Sequence, residues 1–299
     1  MRQALTAATR FALVEQARNR FAIILLLIFV PLWDGLFGTV IASTPVAFKL
    51  QSTGALLQVN GREVTILTSG FNALTLVVAF MIFTAARGNA AFDRRLVLAG
   101  LPQPVAMAAK VAAIIVVAAL VSLYATLVIE VYWHPASLGA IWLGYLLDAL
   151  IYGALGLLLG VLVTSELAGF FVIIMLSLLD TNLQLPVENP LANKDFLMGF
   201  PSYGPMQVAV SGGFGHGVPG GSVLLALAWF AGFALLGLAV FWWRTRAWNP
   251  QTRRRDATDA TDATDATDAT DATDATDATD ATSNVTTAAA PAANAGADR

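Results

Sequence analysis

"FAIILLLIFV", residues 21–30, is a run of ten apolar residues without a charged side chain. The run does not alternate between polar and apolar positions, which is the pattern that a strand of a membrane β-barrel needs. A helix crosses a bilayer with about 20 mostly apolar residues, because it satisfies its backbone polar groups internally. The sequence stays mostly apolar as far as residue 42, so this stretch predicts a membrane-spanning helix over residues 21–42.

The composition of the whole chain indicates that lipid surrounds most of it. Of the 299 residues, 57% are hydrophobic and only 12% are charged, and the mean hydropathy is +0.68. A soluble domain carries about 25% charged residues, so buried helices of a soluble protein are the weaker alternative. The chain has no cysteine, which excludes disulfides, thiolate metal sites and cysteine nucleophiles.

Five further apolar runs are long enough to cross a membrane. The six predicted spans are residues 21–42, 65–86, 105–130, 138–163, 166–181 and 222–243. The first is too long for the apolar region of a signal peptide, which has 7–15 residues, so we expect an uncleaved anchor. The predicted fold class is an all-α membrane protein with six transmembrane helices.

The distribution of lysine and arginine predicts the orientation of these spans. Thirteen lysines and arginines flank the spans on the side of the N-terminus, and only Lys49, Arg62 and Lys194 lie on the other side. Basic residues accumulate in cytoplasmic loops. Both termini are therefore predicted to be cytoplasmic, in a multi-pass protein of the cell membrane.

Residues 1–20 are predicted to form an amphipathic helix that lies in the inner membrane interface. Apolar and basic polar residues fall on opposite sides at helical spacing, which suits an interfacial position. The alternative is a plain extension of the first span. The apolar side holds Ala4, Leu5, Ala8, Phe11, Ala12 and Val14, and the polar side holds Arg2, Thr6, Thr9 and Arg10.

The connection over residues 181–221 is predicted to lie on the outer side. Its middle, "FLMGFPSYGPMQVAVSGGFG", is apolar but is interrupted by Pro201, Pro205 and several glycines, so it cannot span. We expect short re-entrant helices there, dipping into the outer leaflet or covering the spans just before the last one. A plain surface loop is the alternative.

The C-terminal tail repeats the triplet "DAT" nine times, from Asp256 to Thr282. Aspartate and threonine are poor helix formers, and the repeat has no apolar face to bury. We expect a disordered cytoplasmic tail. The predicted organisation is an interfacial helix over 1–20, a six-helix transmembrane domain over 21–248 and this tail over 249–299.

Motifs of catalysis are missing from the sequence. There is no HExxH motif and no P-loop, and the only histidines, His134 and His216, lie in predicted outer loops without a carboxylate partner nearby. Ser211 stands near His216, but a loop is the wrong place for an intramembrane nucleophile. The chain is predicted not to be an enzyme, with no catalytic residue, no metal site and no cofactor of its own.

Polar residues within spans are the strongest candidates for function, because a charge at the centre of such a helix costs about 2.5–3.5 kcal/mol. Asp34 and Asp148 are the intramembrane candidates, either as a polar pathway or ion relay, or as hydrogen-bonded carboxyls at helix contacts. Asp180 is expected at an outer end, within reach of water. Gly156 and Gly160 form a GxxxG pattern, which predicts close packing within the bundle.

The cytoplasmic stretch "ARGNAAFDRRLVLAGLP", residues 86–102, carries a recognisable order of residues. An Arg-Gly pair is followed by charged residues and leucine, then by proline and a lysine that opens the third span. With the six spans and the amphipathic start, this order resembles the type-2 ABC transporter permeases over residues 1–248. The outer element "FPSYGP", with Pro201, Tyr203 and Pro205, is similar to the Pro-aromatic-Pro element of that family.

The resemblance implies that the loop is a coupling element that docks on a separate ATP-binding subunit. Arginines would pair with acidic groups of that subunit, and the apolar residues would enter a groove. The implied docking residues are Arg87, Gly88, Phe92, Asp93, Arg94, Arg95, Leu96, Leu98 and Pro102. ATP and Mg²⁺ would then be bound by the partner, and the chain would export a substrate across a bacterial cytoplasmic membrane.

Other partners implied by the family are a second permease copy or a sister permease, and membrane lipid; no nucleic acid is expected. Three alternatives remain open. The loop arginines could simply enforce topology and bind anionic headgroups. The chain could be a secondary transporter driven by protons through Asp148 and Asp34, or a membrane anchor or assembly protein that transports nothing.

Overall fold

A computed structural model describes residues 2–89, 95–96 and 99–246. The helices are α1 (Arg2–Arg18), α2 (Arg20–Val40), α3 (Gly61–Gly88), α4 (Gln103–Tyr132), α5 (Leu138–Leu162), α6 (Glu166–Leu183), α7 (Tyr203–Gly213) and α8 (Gly220–Arg246). A two-stranded sheet, β1 (Pro45–Lys49) and β2 (Leu56–Asn60), separates α2 from α3, and a short 3₁₀ helix (Asp195–Gly199) precedes α7. The predicted repeat tail lies outside the described residues.

Six of these helices, α2, α3, α4, α5, α6 and α8, are long and apolar enough to cross a membrane. They coincide with the six predicted spans, and the chain is a mostly helical, multi-pass membrane protein. Their ends differ from the prediction by a few residues. The helix predicted to begin at residue 65 begins at Gly61, for example, because the Asn60 side chain accepts a hydrogen bond from the Arg62 amide and caps the helix there.

The N-terminal helix α1 is separate from the first span. It ends at Arg18, and the side chain of Asn19 accepts a hydrogen bond from the Ala22 amide (3.2 Å), which caps the start of α2. One side of α1 packs against α4, while Phe11 and Val14 are about half exposed. A helix is therefore present in this part of the chain and is separated from the first span at Asn19, while its position in the membrane interface stays a prediction.

Helices α3 and α5 form the centre of the bundle. In its most apolar stretch α3 is 89% buried, whereas α8 is 11% buried and lies at the periphery. A Cβ at Gly156 of α5 would collide with the carbonyl oxygen of Ala79 in α3, and one at Gly160 would lie 2.7 Å from the Ala86 Cβ. The GxxxG pattern therefore packs α5 on α3 within the bundle, as predicted.

The outer helices present apolar side chains away from this core, as a lipid-facing surface requires. Exposed aliphatic and aromatic residues lie on α2, α4, α6 and α8. They include Leu27, Leu32 and Leu36 of α2, Leu120 and Leu127 of α4, Leu167, Phe171 and Leu179 of α6, and Leu224, Leu235 and Trp243 of α8.

The prediction of an all-α fold is wrong between α2 and α3, where β1 and β2 form an antiparallel hairpin. Pro45 pairs with Asn60 and Lys49 with Leu56, and Gly54 adopts a left-handed conformation in the turn. Every second residue is apolar on one face of the hairpin, and Phe48 and Val59 on that face are buried. The alternation of apolar and polar residues is the sequence signal for these strands. Each strand has only five residues, so the signal is short.

Candidate functional site

The predicted docking residues that the structure describes lie at the end of the bundle where α3 ends and α4 begins. Of these, Gly88, Arg95 and Pro102 are exposed to solvent, and Leu96 is half-buried. Pro102 is the N-cap residue of α4. The other predicted residues of the connection, Phe92, Asp93, Arg94 and Leu98, lie outside the described residues.

Arg87 has a structural contact inside the chain. Its Nη1 donates a hydrogen bond to the carbonyl oxygen of Val163 (2.6 Å), the C-cap residue of α5. Its guanidinium lies 5.6 Å from the centre of the Phe83 ring. A cation at the carboxyl end of a helix is favourable because the free carbonyls carry partial negative charge. Arg87 thus connects the ends of α3 and α5.

A cleft of about 80 Å³ joins this loop to the N-terminal helix. Its walls come from α1, from the end of α3, from the connecting loop and from the start of α4. The buried side chain of Gln16 contributes a carbonyl oxygen without a hydrogen-bond donor. The lining includes Phe11, Ala12, Gln16, Ala85, Asn89, Leu96, Leu101, Ala106 and Lys110.

Asp34 is fully buried where α2 meets α3. One carboxyl oxygen, Oδ1, accepts a hydrogen bond from the Ser69 hydroxyl (2.7 Å), and the other has no donor. A buried polar atom without a partner costs about 1–3 kcal/mol. The side chain is thus buried at a contact between two helices, and both interpretations of Asp34, an ion relay or a hydrogen-bonded carboxyl at a helix contact, stay predictions.

Asp148 belongs to a second, separate hydrogen-bonded group. Its Oδ1 accepts a hydrogen bond from the hydroxyl of Ser202 (2.6 Å), and the Ser202 amide donates to Oδ2 of Asp180 (3.0 Å). Asp180 also accepts hydrogen bonds from the hydroxyl of Tyr152 (2.7 Å) and from Nε2 of Gln184 (2.8 Å). Helices α5, α6 and the start of α7 meet at this group.

The expectation that Asp180 reaches water is wrong, because its side chain is fully buried. The segment before α7 folds back over the end of α6 and places the backbone of Ser202 against the carboxyl. Sequence reasoning also missed Ser202, Tyr152 and Gln184. These residue types are common in membrane helices and loops, and only the tertiary fold brings them together.

A seam of small polar side chains connects α3 with α6. Nδ2 of Asn72 donates to the hydroxyl of Thr181 (2.9 Å), and the hydroxyls of Thr75 and Ser177 are also hydrogen-bonded. All four side chains are buried. Hydrogen bonds of this kind hold membrane helices together where the hydrophobic effect gives no preference.

The predicted outer element is a buried helix and not a surface loop. Pro201, Tyr203 and Pro205 are buried, as are all 11 residues of α7. A Cβ at Gly144 of α5 would lie 2.9 Å from the Pro205 carbonyl oxygen, so α7 packs closely along α5. Burial raises the pKa of the Tyr203 hydroxyl, and the nearby charge of Asp195 adds to the increase.

Two amide side chains attach the β-hairpin to the segment that leads into α7 and to α7 itself. Asn193 accepts a hydrogen bond from the Lys49 amide (2.8 Å) and donates one to the Ala47 carbonyl (2.9 Å). Gln207 does the same with the Gln51 amide (3.0 Å) and the Lys49 carbonyl (2.9 Å). The Lys49 ammonium also forms a 2.7 Å ion pair with Asp195 and holds the pKa of that carboxyl below its usual value.

The histidines do not form a site within the described part of the chain. His134 and His216 are exposed, and Nδ1 of His216 lies 2.9 Å from the Phe214 carbonyl. Ser211 lies in α7, not in a loop as predicted, and its side chain is buried whereas His216 is exposed. No group of three acidic, histidine or cysteine side chains among the described residues is arranged to bind a metal ion.

Comparison with known proteins adds no assignment: no protein-family model matches the chain, and no curated protein matches it in sequence.

Proposed function

We propose that the chain is the membrane-spanning permease subunit of a type-2 ABC exporter. A separate subunit hydrolyses ATP, and two copies of this chain, or one copy and a sister permease, form the transport pathway. The observation that carries this proposal is the joint surface made by α1 and the connection between α3 and α4. Both lie at one end of a six-helix bundle, around the same cleft.

That surface has the chemistry that a docking site needs. Arg95, Gly88 and Pro102 are exposed beside the cleft, and Leu96 lies half-buried between them. An exposed arginine can pair with a carboxylate of a partner, and an adjacent apolar residue adds contact area. The basic character of the loop therefore fits an acidic groove on an ATP-binding subunit.

The bundle offers a direct route for force from this surface to the spans. The loop continues into α3 and α4, and α1 packs against α4. Arg87 ties the end of α3 to the end of α5, so a push on the loop also reaches the second central helix. Closely packed helices transmit displacement because protein interiors are not easily compressed.

The exposed apolar faces of α2, α6 and α8 support the expected partners within the membrane. Their leucines and aromatic residues suit contact with lipid or with another permease copy. The absence of a P-loop in the sequence agrees with ATP binding on another subunit.

The test is to purify the native complex from the source membrane with and without charge reversal in the loop. The variant is Arg94→Glu with Arg95→Glu, and the matched control is Lys194→Glu, an exposed lysine of the connection that leads to α7. We expect a P-loop ATPase subunit to copurify with the wild type and the control. The double variant should insert normally but retain less than one tenth of the ATPase, because like charges across an interface cost several kcal/mol and about 1.4 kcal/mol already corresponds to a tenfold loss of affinity.

Different results would identify the alternatives. If no P-loop subunit copurifies with the wild type, the proposal is wrong. If the double variant inverts in the membrane, the arginines act as topology signals. Normal insertion with undiminished ATPase would show that Arg94 and Arg95 do not dock the subunit, and would assign them to contact with lipid headgroups instead.

Transport driven by protons is a second candidate, and the buried carboxyls favour it. Asp34 and Asp148 are completely buried, and each has one oxygen without a donor. Ionisable groups within the membrane commonly mark proton relays. Transport that a protonophore abolishes and ATP depletion leaves intact would establish this function in place of ATP-driven export.

A further inference from the structure

Two carboxyl groups meet inside the bundle on either side of one serine. The Ser202 hydroxyl donates to Asp148 and the Ser202 amide donates to Asp180, at 2.6 and 3.0 Å. Both carboxyls have no solvent exposure. Ser202 is the N-cap residue of α7, but its hydroxyl makes no capping hydrogen bond and is directed to Asp148 instead. The hydroxyl and the amide of Ser202 thus both donate hydrogen bonds to the carboxyl pair.

The two carboxyls are not equally supplied with donors. Asp180 accepts three hydrogen bonds, from Tyr152, Gln184 and the Ser202 amide. It also faces the amino end of α7, where free amide groups favour negative charge. Asp148 accepts one hydrogen bond, and its Oδ2 has no donor within the described part of the chain. One negative charge is therefore well accommodated, on Asp180, and a second is not.

Among the residues that the structure describes, no positive side chain compensates a second charge. The ionisable groups that act on Asp148 are Asp180, across Ser202, and the phenol groups of Tyr145 and Tyr152 in its own helix. Asp34 of α2 interacts electrostatically with Tyr145, which adds further negative charge. Moving a bare carboxylate into such surroundings is very unfavourable unless it is paired or neutralised.

A small gap lies beside two residues that donate hydrogen bonds to the pair, Ser202 and Gln184. The adjoining gap is bounded by Gln184 and Ser202 together with Thr68, Phe71, Thr181 and Met206. It has no room for a water-sized sphere, and a cavity needs about 10–15 Å³ to hold a water molecule. The oxygen of the Gln184 amide, also buried, lacks a donor as well. The gap therefore leaves no place for a water molecule beside Ser202 and Gln184.

We infer that Asp148 and Asp180 form a proton-binding pair that holds one proton, on Asp148, where α5, α6 and α7 meet. The proton neutralises one carboxyl and leaves the other as an anion surrounded by donors. In this state the pair joins the three elements through Ser202. Loss of the proton places two negative charges on either side of Ser202 and favours separation of α7 from the helices it covers. The inference does not depend on which transport mechanism is correct.

Infrared spectroscopy of the purified full chain in lipid nanodiscs tests the inference directly. A protonated carboxyl has a C=O stretching band that a carboxylate lacks. We expect this band in the wild type at neutral pH, and its loss in Asp148→Asn. The matched control is Asp34→Asn, a buried carboxyl of a separate group, which should retain the Asp148 band. Absence of an Asp148 band at neutral pH would overturn the inference.

Measurements on Asp34→Asn, which removes the other buried carboxyl and leaves Asp148 and Asp180 in place, keep the test decisive if the Asp148 variant fails to fold. In the unfolded chain both carboxyls are ionised near pH 7, so the folded state binds one more proton. Stability must then fall as the pH rises, and the thermal midpoint should decrease while the infrared band disappears. A midpoint that is independent of pH would contradict the proposal. If the thermal midpoint is higher in sodium than in choline at the same ionic strength, the pair binds a metal cation and not a proton.

Discussion

At the scale of single residues, the absence of a side chain at Gly156 determines how closely the two central helices approach. The backbone of Ala79 in α3 occupies the place of a Cβ at this position. Gly232 in α8 is different, because a Cβ there would have no neighbour within 4 Å. The two glycines therefore have different reasons to be present, although both stand in membrane-spanning helices.

We expect Gly156→Ala to destabilise the protein, because α3 and α5 must move apart to accept the methyl group. Overpacking of a dense core costs about 1–3 kcal/mol. The thermal midpoint of the purified protein should fall clearly, and the yield of folded protein should fall with it. Gly232→Ala is the matched control and should leave the midpoint unchanged or raise it, since alanine is the better helix former. Equal behaviour of the two variants would contradict the assigned packing of α5 on α3.

At the same scale, the chemistry of the buried carboxyls was only partly visible in the sequence. The type and depth of Asp34 and Asp148 marked them as unusual, and both are buried. Their hydrogen-bond partners could not be predicted. Ser202 is 54 residues from Asp148 in the sequence, and the periodicity of a short segment does not show how distant elements pack together. The prediction that Asp180 reaches water is wrong for the same reason. Its position near a helix end indicates solvent exposure, but the segment that leads into α7 covers it.

At the scale of elements, hydrophobic runs were sufficient to locate the six long helices, because a membrane span is a local property of the sequence. The hairpin and α7 were harder to recognise. Each strand has five residues, and the apolar face of the hairpin is completed by other parts of the chain. Helix α7 was expected only as a short helix of undefined position, since its burial depends on the close approach of Gly144.

The side-chain amides of Asn193 and Gln207 attach the hairpin by hydrogen bonds to its backbone amide and carbonyl groups. We expect Asn193→Ala to accelerate hydrogen exchange at the Lys49 amide by roughly tenfold, since each lost hydrogen bond contributes about 0.5–1.5 kcal/mol. Hydrogen exchange with mass spectrometry of residues 45–50 measures this effect. Asn189→Ala, in the same connection but bonded to Leu183 and Leu191, should leave the hairpin unchanged. Similar acceleration by both variants would contradict the specific role of Asn193.

The ion pair at the same hairpin provides a pH-dependent comparison. The Lys49 ammonium lowers the pKa of Asp195, so the folded state favours the ionised carboxyl. The contribution is present at neutral pH and is lost as the pH falls through that lowered pKa. Amide hydrogen exchange of residues 45–50 should therefore be slightly faster in Asp195→Asn than in the wild type at neutral pH. In strong acid the two exchange rates should be equal. The effect is small because the carboxyl is exposed to solvent.

At the scale of the whole molecule, the six spans place α1 and the connection between α3 and α4 on the same side of the bundle. The hairpin and the 3₁₀ helix before α7 belong to the opposite side, where Lys49, Arg62 and Lys194 are the only lysines and arginines. The uneven distribution of charge predicts which side faces the cytoplasm. The proposed docking surface is accessible to a cytoplasmic subunit only with this orientation.

Because the chain has no cysteine, the orientation can be tested with single cysteine variants in intact cells. Thr53→Cys, exposed in the hairpin turn, should react with a membrane-impermeant maleimide before the cells are permeabilised. Gln3→Cys in α1 and Gly88→Cys at the end of α3 are also exposed and should react only after permeabilisation. The three variants control for one another, because each must react once the membrane is open. If Gly88→Cys and not Thr53→Cys were labelled in intact cells, the orientation would be the opposite of the predicted one. The proposed docking surface would then lie outside the cell, where no ATP-hydrolysing subunit could bind to it.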